Sequence, residues 1–150
     1  MRKSYKGLHK VGTTDIQRAI ANLDRDVSHM VLARDRECIT CGSTTEQCDC
    51  GHFRIRQNMA TRFHPLNCNR QGTKENRFEG GKTFEYGLAL DKKYGKGCAI
   101  FLEKLSRTIE NWTEGELATL REAAKIGERV YEDIYYGLRP THQFKKLIKK

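Results

Sequence analysis

Apolar side chains recur at helical spacing from Ile16 onward. Ile16, Ile20, Leu23, Val27, Met30 and Val31 fall on one stripe, and Arg18, Asp24, Arg25, Asp26 and Arg34 occupy the other face. Thr14 with Gln17 makes a capping box, so an amphipathic helix is predicted over 13–36. Beyond Arg36 the period is lost. Cys38-Ile39-Thr40-Cys41-Gly42 reads as a tight turn that aims two thiols at one point, the usual first half of a zinc knuckle. From Gln47 to Arg56, Phe53 and Ile55 alternate with Arg54 and Arg56, which predicts a half-buried strand with Met59 to Phe63 as its short partner. His64-Pro65 breaks that pattern, because Pro lacks the donor a central strand needs. Asn69 to Arg77 is predicted as a short helix ended by Gly80-Gly81. Another helix, Thr83 to Tyr94, turns Phe84, Leu88 and Leu90 inward and closes on Gly95. Cys98 to Leu105 reads as a short apolar helix. Thr113 with Glu116 forms a second capping box, opening one long helix marked by Leu117, Leu120, Ala124, Val130, Tyr131 and Ile134 and ending before Gly137.

This pattern is α+β. It divides the 150 residues into a basic arm (1–12), the first helix (13–36), a central unit (37–95), a helical part (96–138) and a basic tail (139–150). The charge changes the picture more than the overall composition does. There are 28 Lys and Arg against 19 Asp and Glu, a net charge of +9, which favours a polyanionic partner, above all nucleic acid. Lys145, Lys146, Lys149 and Lys150 would add phosphate contacts. No apolar run is long enough to cross a bilayer and no apolar core follows the basic start, so a cytoplasmic protein without a membrane segment is expected. In that compartment, six Cys point to metal binding or packing, not to a disulfide framework. His29, beside the first apolar stripe, is read as an ordinary surface residue.

Candidate chemistry crowds between Cys48 and Asn76. Hydrolysing a phosphodiester needs a base to take a proton from water and a divalent metal to relieve charge on the leaving oxygen. His52 is the natural base, and Asp49 is a hard oxygen ligand of the kind Mg²⁺ or Mn²⁺ prefers. Asn67, Asn69 and Asn76 can offer amide oxygens to the metal or to the imidazole. Arg54, Arg56, Arg62, Arg70 and Arg77 surround them in sequence and can clamp phosphates.

These residues resemble a known family. Asp49-Cys50-Gly51-His52-Phe53, Ala60-Thr61-Arg62-Phe63, Asn67, Gln71, Asn76-Arg77-Phe78, Gly81 and Tyr86 through Tyr94-Gly95 are similar to the NinG (Rap) family of lambdoid phage recombination proteins. The Cys38–Cys41 turn, Leu23-Asp24-Arg25 and Trp112-Thr113 fit it too. The resemblance implies a small HNH-like (ββα-metal) core flanked by helices, and an endonuclease that cuts branched recombination intermediates. By that likeness His52 is the general base, Asp49 a metal ligand, Asn67 the central Asn of the HNH pattern, and Asn76 a later ligand. Cys38 and Cys41 match the first half of a structural zinc site. The family's second C-x2-C is absent: its positions hold Gly72 and Glu75. Asn69 stands where the family tends to have His. A zinc at Cys38 and Cys41 would then lack half its shell, with Cys48, Cys50 and Cys68 as candidates to complete it.

The reading that follows is a metal-dependent DNA endonuclease of phage recombination, acting on branched or single-stranded DNA. The alternative is a catalytically inactive, HNH-like accessory protein that binds DNA or junctions, or recruits other recombination proteins. A third is a basic adaptor that docks a protein through its long C-terminal helix.

Overall fold

The computed structural model describes residues 14–145; the arm expected over 1–12 and the lysines from Lys146 onward lie outside them. Helix α1 (Asp15–Arg34) begins at the Thr14–Gln17 capping box, as the sequence predicts. The loop carrying Cys38 and Cys41 leads into β1 (Cys48–His52). An excursion containing the one-turn helix α2 (Met59–Arg62) brings the chain back as β2 (Cys68–Gly72), and α3 (Thr73–Phe78) follows without a break. Then come α4 (Thr83–Tyr94), α5 (Cys98–Ser106), α6 (Glu114–Ile126) and α7 (Glu128–Leu138). The fold is α+β, mostly helical, with β1 and β2 as an antiparallel pair in the register Cys48–Gly72 to His52–Cys68.

Two apolar clusters hold it. In the larger, Leu23, Val27, Met30 and Val31 of α1 meet Leu117, Leu120, Ala123 and Ala124 of α6 and Tyr131 and Tyr135 of α7. Burying each of the larger side chains contributes roughly 1.5–3 kcal/mol. Phe63, Cys68 and Trp112 join this cluster, so one face of the sheet and the excursion rest on the helical layer. Two polar tips fix that placement: Trp112 Nε1–H donates to Met59 O at 3.1 Å, and Tyr131 O–H donates to Phe63 O at 2.7 Å. In the smaller cluster, Tyr86 and Leu90 of α4 pack on Cys98 and Leu102 of α5, with Phe53 against them.

Several elements differ from the sequence reading. The first strand stops at His52 instead of Arg56: Phe53 N–H still bonds Asn67 O at 2.9 Å, but the Arg54 N–H and C=O are taken by the Asn67 side chain and the chain leaves the sheet. Ile55 is accordingly exposed. Met59–Arg62 is helical and pairs with no strand; the partner of β1 is Cys68–Gly72, most of which was expected to be helix. In α4 the inward residues are Tyr86 and Leu90, while Phe84 and Leu88 face outward. The long C-terminal helix is two helices, broken at Gly127, whose φ of 149° and ψ of 173° lie outside the helical region. No helix among the described residues is long and apolar enough to cross a membrane. All six cysteines are free thiols.

Candidate functional site

A cleft of ≈ 730 Å³ opens where β1, α3 and α1 meet, and Asp24, Asp49, His52, Arg56, Asn76 and Arg77 are among its walls. His52 ends β1 with its Nε2 3.1 Å from the carbonyl oxygen of Arg62. A carbonyl only accepts, so Nε2 carries the proton and Nδ1 is the unprotonated nitrogen. Nδ1 has no protein hydrogen-bond partner among the described residues. Burial holds the imidazole pKa down at about 4; the Asp24 carboxylate opposes this and the Arg56 guanidinium adds to it. The ring is therefore neutral near pH 7.

Asp49 shares this cleft. Arg77 grips it with two bonds, Nε to Oδ2 at 2.9 Å and Nη2 to Oδ1 at 3.2 Å, and Asn76 Nδ2 reaches Oδ2 at 3.3 Å. Burial alone would raise the Asp49 pKa, but the hydrogen bonds from Arg77 and Asn76 hold it below the usual value, so the carboxylate is charged. Both Asp49 oxygens already accept from these donors, and Asn76 turns its Nδ2, not its amide oxygen, toward Asp49. A divalent cation would be held by Asp49 and the Asn76 oxygen only by displacing Arg77 and turning the amide over, and the open cleft leaves room for the waters Mg²⁺ retains. Gln71, which the sequence reading mentioned only within the family likeness, fixes the neighbouring wall by donating from Nε2 to Gly81 O at 2.7 Å.

The other predicted residues are placed elsewhere. Asn67, expected to be catalytic, is fully buried. Its Oδ1 accepts from Arg54 N at 2.8 Å and its Nδ2 donates to Arg54 O at 3.1 Å, so the amide closes the excursion like a clasp. Asn69, expected as a metal ligand, is buried too: its Oδ1 accepts from Arg34, Lys93 and Tyr94, and its Nδ2 donates to Leu66 O at 2.9 Å. Neither amide is free to turn to the cleft. Of the five arginines, Arg56 and Arg77 line it. Arg62 instead clamps Asp24, with Nε to Oδ1 at 3.0 Å, and is mostly buried. Arg54 and Arg70 each have a buried Nε without a hydrogen-bond partner, and neither is a wall of the cleft.

A second constellation lies at the knuckle. Ligand atoms of Cys38, Cys41, Glu46 and Glu75 all fall within 4.8 Å of one another, a group that can hold a metal ion. The thiols donate to the carboxylates, Cys38 Sγ to Glu75 Oε2 at 3.1 Å and Cys41 Sγ to Glu46 Oε1 at 2.9 Å. Desolvation, and then the bond to Glu46, push the Cys41 thiol up to about 12. Cys48, Cys50 and Cys68, the candidates for completing a zinc shell, are outside this group. Cys68 is buried and donates to Arg62 O at 3.3 Å. The sequence reading passed over Glu46 and took Glu75 only as a lost cysteine. The available signal was the presence of two acidic residues flanking the strands that follow a C-x2-C turn.

The family model described as Bacteriophage Lambda NinG protein matches residues 2–132. No curated protein and no solved structure matches the chain.

Proposed function

The chain belongs to the bacteriophage Lambda NinG family, and from that premise we propose that it is a metal-dependent DNA endonuclease of phage recombination, built on an HNH-like ββα-metal core and acting on branched or single-stranded DNA. The observation that carries this reading is the contact of His52 Nε2 with the Arg62 carbonyl. It assigns the proton to Nε2 and leaves Nδ1 as the unprotonated nitrogen of a ring that lines the same cleft as Asp49 and Asn76. The strand–strand–helix order of β1, β2 and α3 is the order such a core requires.

Each residue then has a task. His52 Nδ1 takes the proton from the attacking water. Asp49 and Asn76, once Arg77 gives way, would hold the cation, Mg²⁺ or Mn²⁺, which when bound would supply charge relief at the leaving oxygen. Arg56 and Arg77, both largely exposed, hold phosphate oxygens. Asn67 keeps His52 in place indirectly, by fixing the start of the loop that returns to Arg62.

The test is nicking of branched, single-stranded and duplex DNA with Mg²⁺ or Mn²⁺. His52→Ala is expected to lose roughly 10²-fold or more of the rate while DNA binding stays near wild type. No cutting by the wild-type chain under any of these conditions, or equal cutting by His52→Ala, overturns the reading. The Arg77–Asp49 pair favours one second reading, a non-catalytic DNA binder in which the guanidinium occupies the place of a cation. It predicts salt-sensitive DNA binding that is indifferent to chelators.

A further inference from the structure

We propose that Cys38, Cys41, Glu46 and Glu75 form a tetrahedral Cys2Glu2 zinc centre, in which Glu46 fills the space left by the missing side chain of Gly72 and Glu75 anchors α3. The proposal concerns the knuckle alone and does not depend on the chemistry of the cleft.

The turn is already shaped for two ligands. Gly42 N–H donates to Cys38 O at 2.8 Å and Cys38 N–H donates to Ser43 O at 2.9 Å, closing the loop around the two sulfurs. Gly42 has the positive φ, 73°, that this tight turn demands. Cys38 is 2% exposed, and its Sγ accepts from the backbone N–H of Gly72 at 3.2 Å, a donor that favours a thiolate. The turn needs two further ligands on its open side, and two carboxylates are there.

The position of Glu46 is the informative one. A Cβ built at Gly72 would lie 2.6 Å from Glu46 Oε1 and 2.7 Å from its Cδ. No real side chain fits there while the carboxylate stays. The Glu46 carboxylate therefore occupies the place from which a residue-72 side chain would reach Cys38 and Cys41. Glu75 completes the set from the first turn of α3, where its Oε2 also accepts from the Thr40 hydroxyl.

A second, independent observation is α3 itself. No residue of this six-residue helix is fully buried, and it has no side-chain cap. A single turn and a half is not stable alone, so contacts such as those of Glu75 must hold it. A metal bound through Glu75 would join the knuckle to the helix that carries Asn76 and Arg77. Two thiolates exclude Mg²⁺ and Ca²⁺, while a mixed sulfur and oxygen set with four protein ligands suits Zn²⁺.

The experiment uses the full chain. Zinc content is measured by elemental analysis after purification without chelator, Zn²⁺ and Co²⁺ affinities by titration, and melting temperature with and without EDTA. One zinc per chain is expected, with visible Co²⁺ bands of a tetrahedral thiolate site and a lower melting temperature in EDTA. Glu46→Ala and Glu75→Ala should each weaken Zn²⁺ by at least about tenfold. Glu75→Cys should retain binding, and Glu46→Ala combined with Gly72→Cys should regain what Glu46→Ala alone loses. A chain that holds no zinc as purified and takes up neither ion overturns the proposal. So does undiminished affinity in both alanine variants, or failure of the double variant to recover binding.

Discussion

Asn67 acts through the backbone of Arg54, and its value can be measured. Asn67→Ala leaves the part-buried N–H and C=O of Arg54 without these partners and is expected to cost roughly 2–4 kcal/mol in urea denaturation. A variant as stable as wild type would remove the clasp from the account. His64 sets an acid limit. It is fully buried and neutral, donating from Nε2 to His142 O at 2.7 Å and accepting at Nδ1 from Leu66 N–H at 3.1 Å. Burial lowers its pKa from 6.5 to about 4, so the unfolded chain binds the proton first. The stability His64 contributes is complete above pH 6.5 and is lost as pH falls through about 4, by at most roughly 3 kcal/mol. His64→Gln should flatten that part of the stability–pH curve. At this scale, density in sequence located His52, Asp49, Asn76 and Arg77, because the antiparallel return that sets Gly72 opposite Cys48 starts α3 beside β1, and all four side chains border one cleft. It could not sort Asn67 and Asn69 from Asn76. Amides look alike in sequence, and their roles are decided by partners such as Lys93 and Tyr94, far along the chain. Sequence likewise grouped Arg62 with the other arginines, and could not show that it pairs with Asp24, 38 residues away.

Elements with local punctuation were legible. The capping boxes at Thr14 and Thr113 and the glycine after Tyr94 mark their helices where the structure has them. Half of the sheet was legible: β1 lies within the strand expected from Gln47 to Arg56, but Cys68–Gly72 has no apolar alternation and takes strand form only by pairing with β1. Within α4, Leu90 is buried as expected, but Phe84 and Leu88 face outward because Tyr86, whose hydroxyl donates to Gly51 O at 2.8 Å, takes the inward position. The long C-terminal helix failed at one residue. Gly127 sits where side chains are strained, so Gly127→Ala should destabilise by about 1–3 kcal/mol, read from the thermal midpoint. A neutral result would mean that α6 and α7 can join smoothly.

For the molecule as a whole, one buried cation ties the layers together. Arg34, at the end of α1, donates to Cys68 O and Asn69 Oδ1 of β2 at 2.8 and 3.2 Å, and pairs with Asp35 at 2.7 Å; both side chains are under a tenth exposed. Lys93 of α4 reaches the same Asp35 at 3.1 Å. Arg34→Met would leave the Asp35 carboxylate only Lys93 and the Arg70 N–H and would strip Cys68 O of its donor; it is expected to cost up to about 3–5 kcal/mol in urea denaturation, and a loss below 1 kcal/mol would show that the layers hold without it. The pairing of Arg77 with Asp49 has a wider consequence. At rest, each partner silences the other, so the groove shows neither a strong cation trap nor a strong anion trap. Whichever visitor arrives first releases the partner that welcomes the second. Mn²⁺ and an uncleavable oligonucleotide should therefore each tighten the other's binding by one common factor, and Arg77→Gln should abolish that mutual gain.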